Sequence, residues 1–112
     1  MNMKALAEKV DLDEAEYLDL IDLFLETSSV NHVKLETGVE TGDTRTVIES
    51  AHSIKGSAAS LGLTEISKVA SGVEADAHAN NLKRACKAVE TIKDELNRIA
   101  EQISLSLVMR NG

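Results

Sequence analysis

The sequence contains no proline, the residue that most strongly interrupts a helix because its ring removes a backbone donor and fixes φ. Of the 112 residues, 43% are hydrophobic, and alanine, leucine, glutamate and lysine are abundant. These residue types favour long uninterrupted helices. We therefore expect an all-α fold.

Aromatic residues are almost absent, since Tyr17 and Phe24 are the only two. The core must then consist of leucine, isoleucine, valine and alanine, which suits closely packed helices in a bundle. A chain this poor in aromatic rings has no stacking platform for nucleobases or sugars. Its net charge of −7 also opposes association with nucleic-acid backbones and anionic lipid surfaces. We expect neither nucleic acid nor a membrane as a partner.

A single cysteine, Cys86, rules out an intramolecular disulfide, and we interpret it as a small residue of the bundle rather than a redox thiol. The sequence has no apolar run long enough to span a bilayer and no N-terminal leader, which predicts a cytoplasmic protein. His32 and His78 have the surroundings of ordinary surface residues. Because the three histidines lie on three different predicted helices, we expect no metal site.

Hydrophobic periodicity divides the chain into helices without a linker, low-complexity tract or internal repeat, so we expect a single domain over residues 1–112. The predicted architecture is an antiparallel up-and-down four-helix bundle with an additional N-terminal helix. A short amphipathic segment comes first, and a capping box at Asp11 and Glu14 begins a helix that runs to about Glu26. Further helices are predicted over about residues 28–41, 44–61, 66–77 and 82–103.

Leu20, Leu23 and Phe24 widen the apolar face of the first long helix beyond what a single contact needs. Such a face is either buried centrally or receives a partner. We take burial as the prediction and keep a partner surface as the alternative.

The segment from Ala51 to Gly62 carries the strongest functional signal. It places His52, Lys55 and Gly56 at positions i, i+3 and i+4, on one side of one helical turn. A nucleophile that titrates near neutral pH, a positive charge and a glycine in a helix interior meet there. His52 lies off the predicted core-facing stripe, so we expect its ring to meet solvent. That stripe consists of Val47, Ala51, Ile54, Ala58 and Leu61.

Gly56 and Lys55 each have a simpler interpretation beside the functional one. Glycine costs a helix interior roughly 0.5–1 kcal/mol relative to alanine. We interpret Gly56, followed by Ala59 one turn later, as clearing access to the imidazole, with close helix crossing as the alternative. Lys55 could be an ordinary surface lysine, but its one-turn relation to His52 favours an ammonium group beside a phosphoryl group.

This segment resembles the signature of histidine-containing phosphotransfer (HPt) domains, Ala-His-x-x-Lys-Gly-Ser/Gly-Ala-x-x-x-Gly. The match holds at Ala51, His52, Lys55, Gly56, Ser57, Ala58 and Gly62. Weaker similarity at Phe24-Leu25-Glu26, from Leu35 to Asp43 and at Val73-Glu74 extends the resemblance to roughly residues 12–105. The resemblance implies a phosphorelay protein of two-component signal transduction that is phosphorylated on histidine.

The resemblance also implies the roles of individual residues. His52 would accept a phosphoryl group from the aspartate of one response-regulator receiver domain and pass it to another, with hybrid histidine kinases as further partners. Glu74 stands where the family has Glu or Gln to accept a hydrogen bond from ring Nδ1, which leaves Nε2 to carry the phosphate. Glu74 and His78 are also an i, i+4 pair, so a local surface contact is equally open. No cofactor is expected in the chain, because Mg²⁺ belongs to the receiver.

Docking is expected to use an apolar patch around His52 that includes Ile48 and Ala59. Arg45 and Lys55 on the same flank would reverse the acidic field locally, because charges are screened beyond about 8–10 Å at physiological salt. A monomer is expected, since a closed bundle can bury all its apolar stripes.

The sequence leaves two alternative functions. One is a helical adaptor that binds signalling proteins without accepting phosphate, and the other is the phosphoryl-accepting domain of a larger chemotaxis or hybrid histidine kinase. Met1 and an end at Gly112 favour a free-standing protein over such a domain. Without a Walker-type loop or kinase glycine motifs, we expect no autonomous kinase activity, and classification as an enzyme stays open.

Overall fold

The computed structural model describes residues 2–111 and contains five α-helices and no strand within that range. The helices are α1 (Met3–Lys9), α2 (Glu14–Thr41), α3 (Thr44–Ser60), α4 (Thr64–His78) and α5 (Leu82–Asn111). The helices α2 to α5 form a four-helix bundle in which each packs against its neighbours, and α1 packs against α2. The predicted all-α bundle with an additional N-terminal helix is confirmed. Met1 and Gly112 lie outside the described residues.

The prediction of separate helices before and after Thr27 was wrong, because α2 is one continuous helix of 28 residues. The hydroxyl of Thr27 donates to the carbonyl of Leu23 at 3.1 Å, and Ser28 is buried inside the bundle. Hydroxyl side chains that bond back to the preceding turn can stay within a helix. The start was also misplaced, since Asp13 rather than Asp11 caps α2 by accepting a hydrogen bond from the Glu16 amide at 2.8 Å.

The connections that bring α3 into place are tight. Gly42 ends α2 in the left-handed region at φ 75°, where a glycine carries no Cβ penalty. Asp43 then caps α3 by accepting from the Thr46 amide at 3.2 Å. Further along, the buried hydroxyl of Tyr17 donates to the carbonyl of Leu61 at 2.5 Å, which ties α2 to the end of α3.

Gly38 explains how closely α2 and α3 approach each other. A Cβ atom placed on Gly38 would lie 2.7 Å from Cγ2 of Val47, closer than carbon atoms pack in proteins. The glycine that weakened the helical periodicity of this segment is therefore a packing position between two helices.

The core contains the stripes that periodicity predicted for α3 and α5. In α3 the five predicted residues, Val47, Ala51, Ile54, Ala58 and Leu61, are all buried. In α5 the buried residues are Ala85, Val89, Ile92, Leu96, Ile99 and Ile103, while Leu82 is partly buried. Within residues 2–111 no helix is both long enough and apolar enough to cross a membrane.

Four burial predictions for individual side chains were wrong. Leu20 and Leu23 are exposed although Phe24 beside them is buried, so only part of the wide apolar face of α2 enters the core. Cys86 is exposed and does not pack inside the bundle. His32 is buried between α2 and α5, where its Nε2 lies 2.8 Å from the carbonyl oxygen of Val89.

Candidate functional site

His52 lies in the middle of α3, on the side that turns away from the core. Its neighbours Ala51 and Ile54 face the core and are fully buried, which turns the intervening position outward. The side chain of His52 is 67% exposed. The ring is therefore open to an approaching group, as its position off the apolar stripe predicted.

Glu74 on α4 connects the two polar side chains of the α3 motif. Nδ1 of His52 lies 2.9 Å from Oε2 of Glu74, and Nζ of Lys55 donates to Oε1 of the same carboxylate at 2.6 Å. The Glu74 side chain is only 14% exposed, so it reaches the ring from a largely covered position. The i, i+4 contact with His78 is not the one that the structure shows, because both carboxylate oxygens face α3.

This contact fixes which ring nitrogen is available. An ionised carboxylate can only accept hydrogen bonds, so Nδ1 must carry the proton and donate it to Glu74. In the neutral imidazole the lone pair then resides on Nε2. The nucleophilic nitrogen is thus the one that does not contact Glu74.

Lys55 favours the ionised form of the carboxylate. The Lys55 ammonium lowers the pKa of Glu74, outweighing the opposite effect of partial burial, and the hydrogen bond from His52 lowers it further. The ammonium pairs with the same carboxylate that contacts Nδ1 of His52, so Glu74 joins the two side chains. Ser67 supports this arrangement from α4, since its hydroxyl donates to the carbonyl of Lys55 at 3.2 Å.

Gly56 borders open space. A Cβ atom placed on it would meet nothing within 4 Å, so close helix crossing does not require glycine at this position. Gly56 lies one turn beyond His52, and Ala59 one turn further is also exposed. The surface beside the ring consequently carries only small side chains at these two positions.

The predicted partner-binding residues Arg45 and Ile48 differ in exposure and in their contacts. Arg45 is exposed, and its Nε donates to Oε1 of Glu49 at 3.0 Å, so part of its charge is offset within α3. Ile48 is half-buried against the core. The structure therefore gathers His52, Lys55 and Glu74 into one contact network and leaves Arg45 outside it.

Sequence reasoning missed a groove that lies between α2 and α3. Leu20, Leu23 and Thr27 line it from α2, and Ser57 and Ser60 line it from α3. The signal that could have found it was the surplus of apolar residues on α2. Ser67 offered no signal at all, because its role depends on the register between α3 and α4.

Within residues 2–111, no three side chains of the histidine, cysteine, aspartate and glutamate types gather in a way that could hold a metal ion. The polar network at His52 has one imidazole and one carboxylate, and that carboxylate is already shared with an ammonium group. The arrangement is suited to orienting a nucleophile.

Comparisons with known proteins identify a family and a similar fold. Residues 19–102 match the family model of the Hpt domain. The fold is similar to that of the crystal structure of histidine-containing phosphotransfer protein B (HptB) from Pseudomonas aeruginosa PAO1, with a TM-score of 0.81 and 24% sequence identity. The similarity covers 95% of this chain and 92% of that one. A search of curated proteins finds no match.

Proposed function

Because this chain belongs to the Hpt domain family, whose members interact with receiver domains and histidine kinases, we propose that it is a phosphorelay intermediate. In this proposal His52 accepts a phosphoryl group from the aspartate of one receiver and passes it to the aspartate of another. The observation that carries the proposal is the exposed His52 ring held at Nδ1 by Glu74 at 2.9 Å.

The chemistry follows from that contact. The lone pair on Nε2 attacks phosphorus of the aspartyl phosphate, the bond between phosphorus and the aspartyl oxygen breaks, and the aspartate leaves as a carboxylate. The proton on Nδ1 stays in place, so the phosphorylated ring is a cation. Glu74 stabilises that cation, since the charge develops next to an ionised carboxylate already in position.

The second transfer is the reverse of the first. A carboxylate oxygen of the second receiver attacks phosphorus, the bond between phosphorus and Nε2 breaks, and the electron pair returns to the ring. Mg²⁺ bound by the receiver offsets the charge of the phosphoryl oxygens. The protein needs only to hold its ring in one tautomer and leave room around it.

Lys55 and Gly56 serve these two needs in the proposal. Lys55 positions the Glu74 carboxylate and lowers its pKa. Gly56 leaves the approach to Nε2 clear, because nothing occupies the space where its side chain would be. Ala59 and the half-buried Ile48 contribute uncharged surface on either side, while Arg45 adds a partly offset positive charge.

Transfer from a phosphorylated receiver tests the proposal. Purified protein incubated with labelled receivers is expected to gain acid-labile, base-stable label, which His52→Gln abolishes. His78→Gln is the matched control, because His78 is an exposed histidine of the adjacent helix.

Two results would contradict the proposal. Label that persists in His52→Gln would place the phosphate elsewhere. Binding of receivers without any label, across all receivers tried, would instead indicate the adaptor function.

A further inference from the structure

Two leucines of α2 are exposed beside the groove between α2 and α3. Leu20 is 41% exposed and Leu23 is 56% exposed. Together with Thr27 they form one wall of this groove, and Ser57 and Ser60 of α3 form the other. We call it the α2–α3 groove; its volume is about 530 Å³. Exposed leucines cost solvation free energy that covering them would recover.

The α2–α3 groove leads towards His52. Ser57 follows His52 by five residues, so the near end of the groove lies about 7.5 Å along the α3 axis from the ring and about 140° around it, on the flank that faces α2. Val30 is exposed on the same side of α2, seven residues after Leu23, and extends the apolar surface in the direction of His52. A protein that covers His52 and extends across the outer face of α3 towards α2 would also cover this surface.

The border of the groove on α2 is acidic. Glu16, Asp19 and Glu26 are exposed and lie three or four residues from Leu20 or Leu23, on the same side of the helix. Among the side chains described for residues 2–108, no lysine or arginine lines the α2–α3 groove. The surface thus combines an apolar centre with a negatively charged edge.

We infer that the α2–α3 groove selects the receiver partner, and that it fits a receiver presenting an apolar ridge bordered by lysine or arginine side chains. This inference rests on the proposed phosphotransfer at His52. The apolar centre contributes affinity, while the acidic edge discriminates among receivers, because like charges at an interface are costly and opposite charges speed association.

The groove acts on binding, whereas the network of His52, Lys55 and Glu74 acts on the chemical step. Leu23 does not touch that network, so truncating it leaves the ring and its hydrogen bond unchanged. The two contributions can therefore be measured separately, as the KM for the receiver and as the maximal transfer rate.

The first experiment compares Leu23→Ser with Leu105→Ser. Leu105 is the matched control, because it is 58% exposed and lies on α5, away from the groove. For a phosphorylated receiver that labels His52, Leu23→Ser is expected to raise KM about tenfold, and Leu105→Ser is expected to leave it unchanged. The maximal transfer rate is expected to stay the same in both variants.

Phosphoramidate, a small phosphodonor that needs no docking, separates failure of this inference from failure of the proposed function. It is expected to label wild type and Leu23→Ser equally. If phosphoramidate and receivers both fail to label wild type, the proposed function fails. If labelling succeeds and Leu23→Ser keeps the wild-type KM, the groove is not the docking surface.

The second experiment tests the acidic edge. Glu26→Lys is expected to raise the KM of a receiver with a basic border several-fold at low salt, and added salt is expected to reduce the difference. Glu101→Lys, on the exposed surface of α5, is the matched control. Equal effects of the two reversals would overturn the assignment of selectivity to this edge.

A second copy of the chain is the competing occupant of the groove. Sedimentation velocity of the full chain distinguishes self-association from a free groove. A monomer is expected for both wild type and Leu23→Ser. A wild-type dimer that Leu23→Ser converts to monomers would overturn the inference in favour of self-association.

Discussion

Among individual residues, Glu74 determines what His52 can do. Its carboxylate accepts a hydrogen bond from Nδ1 at 2.9 Å and pairs with the Lys55 ammonium at 2.6 Å. One oxygen contacts the ring, and the other is held by a cation that lowers the pKa of the carboxyl group. In the proposed mechanism the same group sets the tautomer before transfer and balances the positive ring after it.

We expect Glu74→Gln to slow phosphotransfer to His52 about tenfold, equivalent to about 1.4 kcal/mol in the barrier. The amide oxygen can still accept from Nδ1, but it brings no negative charge to the phosphorylated ring. Single-turnover transfer from a saturating phosphorylated receiver measures the rate, and ¹⁵N spectra of the ring report its tautomer.

The control for this prediction is Glu49→Gln, which neutralises a carboxylate of α3 that pairs with Arg45 instead. It is expected to transfer at the wild-type rate. Equal slowing by both substitutions would show that general surface charge, rather than the contact with Nδ1, is responsible.

Among the helices, the glycines have opposite roles that only the packing reveals. Gly38 of α2 faces Val47 at a distance that excludes a side chain, whereas Gly56 of α3 faces open space. From the sequence alone, the two glycines lower helix propensity equally.

Alanine substitutions should separate the two positions. Gly38→Ala is expected to lower the free energy of unfolding by about 1–3 kcal/mol, because its methyl group must displace Val47. Gly56→Ala is expected to raise it by about 0.5–1 kcal/mol and to slow transfer, because the added methyl group would stand in the path of a partner approaching Nε2. Urea denaturation measures the two changes in the free energy of unfolding, and single-turnover transfer measures the rate.

Gly72→Ala is the matched control, because Gly72 also lies within a helix and borders open space. It is expected to stabilise the protein as Gly56→Ala does. A Gly56→Ala variant that transfers phosphate at the wild-type rate would refute the role of Gly56 in access.

The helices that could be predicted from the sequence are those with a regular apolar stripe. In α3 and α5 the stripe predicted the buried residues, and it also predicted that His52 faces outward. In α2 the run from Thr27 to Ser29 resembled a break, because hydroxyl residues commonly cap helices. Only the packing of Ser28 into the bundle and the back-bonded hydroxyl of Thr27 make the helix continuous.

Periodicity does not predict contacts between helices, and the contact of Glu74 with Nδ1 of His52 was implied only by the family resemblance. The meeting of Lys55 with Glu74 depends on the register of α3 against α4, which no local pattern encodes. The burial of His32 is similar, since its hydrogen-bond acceptor is the carbonyl of Val89, 57 residues away.

For the molecule as a whole, Glu74 makes the stability of the fold depend on pH. The pKa of Glu74 is lower in the folded protein than its ordinary value of 4.5. A group with a depressed pKa stabilises the fold above its unfolded-state pKa, and that stabilisation disappears as the pH falls through the folded-state pKa.

Wild type is therefore expected to be more stable than Glu74→Gln at pH 7, and the difference is expected to shrink as the pH falls below about 4.5. Urea denaturation of both proteins from pH 7 to pH 3 measures it. A difference that stays constant across this range would show that Glu74 contributes through packing rather than through its charge.

The hydrogen bond between His52 and Glu74 spans two helices, and this makes the imidazole a reporter of their pairing. A peptide of residues 44–62 would contain the whole motif from Ala51 to Gly62. Its imidazole would nevertheless exchange freely between tautomers, because Glu74 would be missing. Local unfolding of α4 should likewise slow transfer even while the other helices stay folded. The ¹⁵N chemical shifts of the ring would change first.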